Sequence, residues 1–336
     1  MKLHAKQGRV FRAAAAIGLC AAVITLAAAE PRAAATGGRA MVIAYCDYSY
    51  QGVPSTDPLL LAASVRAFGG SLKDLPIRLY LPKGRSLAPE AAAKAARLGV
   101  ELREYLPDSS LSRYPFAQKG LAAAAAEREA EGEADLLVWF DRDSLVLGDL
   151  GPLVLPGGKA LGFRPVNGRN IGRGASLPLD PFWARAYELG GLKPEEAGTT
   201  VPYMDDDPLH FYMAAGIVAV RPERGILRKW AELTLRYAAD EVLAAICRKN
   251  QSQLLFMHQA ALSVAAAALV PAAERQEYPA TVMYPLNFWT SDGEARRPRP
   301  VESVLTLRYD ATFETEGWKD LPMGDGFRKW LSENLR

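Results

Sequence analysis

From residue 40 onward, short apolar runs alternate with longer segments whose apolar positions recur at helical spacing. Runs over 41–45, 77–81, 100–105 and 135–140 have the length and composition of buried strands. Between them the pattern predicts helices over 58–68, stopped by Gly69-Gly70, over 88–98, with Pro89 near the start, and over 116–131. The last is rich in alanine, the residue of best helix propensity. Strands that are apolar on both faces and alternate with helices predict a mainly parallel sheet covered by helices on each side, an α/β fold.

The second half is less regular. It predicts a strand over 159–164 and a Gly/Pro-rich stretch over 169–198 with a short helical piece around Phe182 and Trp183. A strand over 216–220, helices over 222–239 and 251–268, a late strand over 303–308 and a terminal helix over 326–334 follow. There is no internal repeat. Residues 40–336 are expected to form one domain, joined through an Ala/Gly/Pro/Thr-rich linker over 30–39.

The first 29 residues follow another logic. Lys2, Lys6, Arg9 and Arg12 make a basic head, and residues 13–29 are apolar and uncharged. Ala27-Ala28-Ala29 and Ala33-Ala34-Ala35 are two small-residue cleavage options. This is the layout of a secretory signal peptide. The apolar run also sits at the lower edge of spanning length, so an uncleaved type II signal anchor is the competing expectation. The basic head stays on the cytoplasmic side either way. The domain is therefore expected to be exported or membrane-anchored: periplasmic or extracellular in a bacterium, in the Golgi lumen in a eukaryote. Cys20 follows the bulky Leu19, so it reads as an ordinary apolar residue of the segment.

The chain has 336 residues, 49% of them apolar and 23% charged, with a formal charge of +2. That is globular, and it lacks the basic excess of a nucleic-acid binder. Cys20, Cys46 and Cys247 are too few for a disulfide framework; Cys46 and Cys247 can pair in an oxidising compartment, with free buried cysteines the common alternative. His4, His210 and His258 are scattered, which leaves little material for a histidine metal site. No G-x-G-x-x-G follows the first strand, Pro156-Gly-Gly-Lys159-Ala160 is not a P-loop, and no G-x-S-x-G elbow occurs.

The chemistry concentrates at Asp141-Arg142-Asp143, directly after the fourth strand. In an extended segment residues two apart face the same way, so both carboxylates share one side and Arg142 takes the other. Ligands of open parallel sheets bind beyond the carboxyl ends of the strands. Two carboxylates there can hold Mn²⁺ or Mg²⁺, which would neutralise a leaving diphosphate. A solvated turn with two acids is the plain alternative. Arg164, at the end of the 159–164 strand, can meet phosphate or simply lie exposed. Asp205-Asp206-Asp207 repeats the D-x-D pattern but has no apolar strand in front of it, and reads as an acidic loop.

Several segments then occur in an order that resembles the GT-A nucleotide-diphospho-sugar transferases, in particular the family of glycogenin and the bacterial lipopolysaccharide galactosyltransferases. Val42-Ile-Ala-Tyr-Cys-Asp47-Tyr48 resembles the segment that holds uracil and ribose. Leu136-Leu-Val-Trp-Phe-Asp141-Arg-Asp143-Ser-Leu-Val-Leu-Gly-Asp149-Leu is similar to the metal segment. Phe211-Tyr-Met-Ala-Ala-Gly216-Ile-Val-Ala-Val resembles the aromatic-x-Asn-x-Gly strand, and His258-Gln259-Ala-Ala-Leu262-Ser263 the Asp-Gln-x-x-Leu-Asn segment. The matches run from Val42 to about Ser263.

The resemblance implies a GT-A-like, Rossmann-type fold and transfer of a sugar from a nucleotide-sugar donor, a UDP-sugar being favoured, to a carbohydrate or glycoconjugate acceptor. It implies donor contacts from Asp47, Tyr48, Asp141, Asp143, Gly216, His258 and Gln259. Lys119 resembles a basic residue that approaches the diphosphate, with a solvated helix lysine as the alternative. Three departures accompany it. Ala214 stands at the family's Asn, His258 replaces an acid, and the region Leu305-Thr-Leu-Arg308-Tyr309-Asp310 lacks the family's C-terminal histidine ligand. Asp310 is the oxygen ligand expected in its place, beside Asp141 and Asp143. These departures leave a second expectation, a catalytically degenerate GT-A-like module that binds a glycan or nucleotide.

Overall fold

The structure is a computed structural model that describes residues 40–47, 57–111, 114 and 116–335. The expectations placed on residues 1–39 and on Tyr48 lie outside the described residues.

The first half follows the hydrophobic pattern closely. β1 (Ala40–Cys46), α1 (Leu60–Phe68), β2 (Ile77–Pro82), α2 (Pro89–Arg97), β3 (Val100–Tyr105), α3 (Phe116–Ala130) and β4 (Ala134–Phe140) succeed one another in the expected order. The second half continues with β5 (Ser144–Val146), β6 (Leu161–Pro165), α4 (Pro181–Gly190), α5 (Pro194–Ala197), β7 (Thr199–Thr200), β8 (Leu209–His210) and β9 (Met213–Val220). Then come α6 (Ile226–Ala239), α7 (Glu241–Lys249), α8 (Gln251–Leu269), β10 (Arg275–Glu277), β11 (Tyr284–Pro285), β12 (Thr306–Arg308) and α9 (Asp325–Asn334).

The central sheet has the order β10-β6-β9-β4-β1-β2-β3. β3, β2, β1 and β4 are mutually parallel, and β6 pairs in parallel with β10. β9 runs antiparallel to both β4 and β6. The fold is therefore α/β with a mainly parallel sheet, and the strand expected around Gly216 does lie beside β4. Because β9 is reversed, its first residues meet the carboxyl end of β4, where Phe140 pairs with Ile217 and the Asp141 amide donates to the Gly216 carbonyl at 2.8 Å.

Helices cover both faces of this sheet, and the alanine of α3 has a packing reason beyond propensity. Ala122 to Ala126 are all buried, because α3 is held between β1 and β4 on one side and α6 on the other. Only a small side chain leaves room for a helix there. Buried Glu127 in α3 accepts from the Leu227 and Arg228 amides at 3.0 and 2.8 Å, capping α6, whose own N-cap is Gly225. α8 is long and apolar enough to cross a membrane, yet it packs against α6, α4 and β9, and residues 257–267 are buried. It is a core helix.

A second, three-stranded sheet, β11-β12-β5, carries the C-terminal region back to the end of β4. β12 is antiparallel to β5 with Arg308 opposite Ser144, and the Tyr309 amide donates to the Asp143 carbonyl at 2.8 Å. Tyr284, Leu307, Tyr309, Trp318 and Phe327 bury a separate cluster beneath it.

Candidate active site

The end of β4 carries Asp141 into a buried cluster of charge. Its carboxylate forms an ion pair with Lys119 from the first turn of α3, and the side chains are only 8% and 2% exposed. Burial pushes the Asp141 carboxyl up, against the pull of Lys119 and Arg308, and the neighbouring Asp143 adds to the rise. Arg308 from β12 reaches both acids: its Nε lies 2.9 Å from Asp143 Oδ2 and 3.9 Å from Asp141 Oδ2.

The alternation expected over 141–143 is present. Both carboxylates reach Arg308, and Arg142 turns to the other side, where it pairs with Asp47. Asp47, expected to hold the donor's nucleoside, thus has a cationic partner within the chain.

His258, on α8, lies within reach of the charges of this cluster. Phe116 stacks on its ring at 4.7 Å and 6°. The Tyr114 hydroxyl accepts from the His258 amide at 2.7 Å and lies 3.2 Å from Nδ1, while the Leu255 carbonyl lies 3.1 Å from Nδ1. A carbonyl partner requires a proton on Nδ1, which assigns the lone pair to Nε2. Burial, then the charges of Lys119 and Arg308, hold the imidazole well below its ordinary pKa. It is neutral at pH 7. The same lysine therefore acts on His258 and on Asp141, residues 117 positions apart in the chain.

Other predicted positions find different settings. Gly216 contributes its carbonyl to Asp141, and a Cβ there would come within 2.6 Å of Met283 Sδ and 3.6 Å of Arg308 Cδ. Gln259 is buried beside the Tyr212 hydroxyl. Arg164 is not an exposed strand end. It is 4% exposed, donates from Nη1 to the Tyr278 carbonyl at 3.0 Å and stands over the Tyr203 ring, and none of these partners belongs to the Asp141 cluster. Ala214 is buried in the core that α1 and α2 cover. Asp205 and Asp207 tie their loop to Arg169 at 2.9 and 2.8 Å.

The ligand set differs from the expectation. Among the described residues no three His, Cys, Asp or Glu side chains gather where they can hold a metal, so Asp141, Asp143 and Asp310 do not form the expected ligand set. Asp310 is exposed, at a left-handed φ of 47°, one residue past the Tyr309 that binds the Asp143 backbone. Of the two readings of Cys46 and Cys247, the free and buried one is found. Arg308 belongs to the cluster, although no sequence motif assigned it a role. The expected strand over 303–308 ends on this residue, but nothing in that pattern announces its pairing with β5.

The donor set also bears on the cation expected at the acid pair. Two carboxylates alone suit a hard divalent ion. Here each already carries a cationic side chain. A dication on Asp143 would lie beside the Arg308 guanidinium, and it would have to take carboxylate oxygens that Lys119 and Arg308 already engage. The residues as arranged do not fit a divalent ion.

Comparison with solved structures gives likenesses at low identity. Galactosyltransferase LgtC, in complex with donor and acceptor sugar analogs, is 14% identical over 88% of this chain and 95% of its own, with a TM-score of 0.41. The glycosyltransferase GlyE of Streptococcus pneumoniae TIGR4 is 14% identical over 89% of this chain and 61% of its own, with a TM-score of 0.44. The bifunctional glycosyltransferase WbbM is 13% identical over 89% and 50%, with a TM-score of 0.43. None of the curated proteins matches by sequence. Residues 51–270, almost two thirds of the chain, match the Rhodobacterales glycosyltransferase domain, and the chain belongs to that family of glycosyltransferase enzymes.

Proposed function

We propose that this transferase moves a sugar from a nucleotide-diphosphate donor, with UDP favoured, to a carbohydrate or glycoconjugate acceptor at the cluster that ends β4. The observation that carries the reading is the convergence of Lys119, Arg308, Asp141 and Asp143 at the carboxyl end of a parallel strand, with His258 within reach of the field of both cations. Breaking the bond between the anomeric carbon and the diphosphate leaves negative charge on the departing oxygens. Fixed cations in a site shielded from water stabilise such charge without reorganising as it develops. Arg308 offers a planar guanidinium with about a third of its side chain open. Lys119 adds its field from beneath, at 2% exposure. Neutral His258 offers a lone pair on Nε2 to a sugar hydroxyl.

The Mn²⁺ or Mg²⁺ expected from the acid pair is assigned no step, since both carboxylates are occupied by side-chain cations. The segment over 1–29 is proposed to take the domain to or across the membrane. The family is bacterial, and nucleotide sugars are cytosolic, so export and a nucleotide-sugar donor pull in opposite directions.

Calorimetry of the purified chain with UDP, GDP, ADP and CMP tests the donor. Selective binding of UDP supports the reading, and binding of none of the four overturns it. Incubation with UDP-hexoses and mass spectrometry of the products then identifies the sugar.

A further inference from the structure

We infer that Arg308, backed by Lys119, occupies the place of the divalent cation, so that the acid pair serves as a seat for two side-chain cations and not as a metal site. The identification of the diphosphate as the ligand rests on the proposed function; the exclusion of a divalent ion does not.

The first support is charge balance. Asp141 and Asp143 bring two negative charges, and Lys119 and Arg308 bring two positive ones within ion-pair distance. The cluster is neutral before any ligand arrives. A divalent ion would have to displace one cation or make the site strongly positive, and Lys119 has almost no solvent to move into.

The second support is that the backbone fixes Arg308. It lies opposite Ser144 in the β12–β5 pairing, and the next residue, Tyr309, donates its amide to the Asp143 carbonyl. The guanidinium and the Asp143 carboxylate are thus brought together by two registered segments 165 positions apart in sequence, not by a chance meeting of long surface side chains. Gly216 leaves space for Met283, whose Sδ would lie 2.6 Å from a Cβ at that position, and the arginine stem packs beside it in ordinary contact.

The third support is the missing ligand. Asp310, the acid expected as third ligand, is exposed and outside any three-acid group among the described residues. Arg308 stands on Asp143 instead. Its fork of N–H donors suits diphosphate oxygens, which two carboxylates could approach only through a cation. Asp141 and Asp143 then act as positioning residues that aim the two cations.

Electron paramagnetic resonance of Mn²⁺ titrated with the full chain tests the exclusion without any nucleotide. The wild type is expected to leave the free-ion signal unchanged, and Arg308→His, which exchanges the guanidinium for a metal ligand, is expected to reduce it. Stoichiometric Mn²⁺ binding by the wild type that Asp143→Asn removes would overturn the inference, and so would an Arg308→His chain that folds and still ignores Mn²⁺. If that variant does not fold, the wild-type titration still decides. Calorimetry with UDP adds the second arm. Affinity is expected to agree within twofold between EDTA and excess Mn²⁺, and to fall at least tenfold in Arg308→Ala. Loss of UDP binding in EDTA overturns the inference. Failure to bind UDP in either condition overturns the proposed donor and leaves the Mn²⁺ titration standing.

Discussion

Lys119 and Asp141 meet as an ion pair almost sealed from water, at 2% and 8% side-chain exposure, with α3 supplying one partner and β4 the other. The sequence places Asp141 at a strand end, where a substitution to Asn would be expected to leave the fold intact. The pair changes that expectation. Removing one partner of a buried pair leaves an uncompensated charge and costs about 3–5 kcal/mol. Lys119→Met should lower stability at the bottom of that range, since Arg308 relieves part of the charge left on Asp141, whereas Asp141→Asn strands Lys119 beside a second cation and should fall at the top of it. The double variant should be more stable than the sum of the two predicts, by about 1–3 kcal/mol. Urea unfolding of the four proteins measures this, and strict additivity would refute the pairing.

His258 is stacked on Phe116 and held neutral by burial and by the charges of Lys119 and Arg308. Its Cε1 proton resonance should therefore fail to titrate near pH 6.5 in the native chain. The unfolded chain binds a proton there that the native chain refuses, so His258 contributes stability above the unfolded pKa that is lost as pH falls below it. His258→Phe should keep the stack and the stability while losing transfer activity. A variant that retains full turnover removes His258 from the site.

Glu127 behaves in the opposite sense. Burial pushes its carboxyl up to about 7, against the hydrogen bonds from the Arg228 and Leu227 amides. The native chain holds a proton that the unfolded chain has already released, so stability is full below the unfolded pKa near 4.5 and declines as pH rises through 7. The loss between pH 5 and pH 8 should be about 2 kcal/mol. Glu127→Gln should abolish that slope while weakening the cap of α6 by a constant amount. Urea midpoints of both proteins at pH 5, 6, 7 and 8 measure it, and parallel curves would refute the raised pKa.

The first four strands and three helices were legible because β1 and β4 are buried on both faces, which leaves a continuous apolar run, and because Gly69 and Pro89 punctuate α1 and α2. α7 was not, although its signal was there: the Asp240 carboxylate accepts from the Leu243 amide at 2.9 Å and starts a new helix where α6 ends. β7, β8 and β11 have two residues each, too few to show a period. At the site, Asp141, Asp143, Lys119 and His258 were visible as residue types in ordered motifs. Arg308 was not, because its role depends on a pairing with three-residue β5 that no local pattern announces. Arg164 looked exposed because a strand-end arginine usually is, while its burial follows from the Tyr278 carbonyl and the Tyr203 ring.

The N-terminal segment sets the last prediction. Four basic residues precede a 17-residue uncharged run over 13–29, and both the signal and the anchor reading carry the domain through the membrane. Expressed from its full sequence in a bacterium, the chain should fractionate with the membrane or the periplasm, and a chain beginning at residue 30 should stay in the cytosol. The site then places a demand on the outcome. A nucleotide-sugar donor is made in the cytosol, so a periplasmic domain would require a donor delivered across the membrane. Protease accessibility in spheroplasts separates the cases. Digestion of the domain in intact spheroplasts supports export and turns the donor search toward exported sugar carriers. A soluble cytosolic chain with Met1 intact would refute the targeting reading and leave the nucleotide-sugar proposal in its natural compartment.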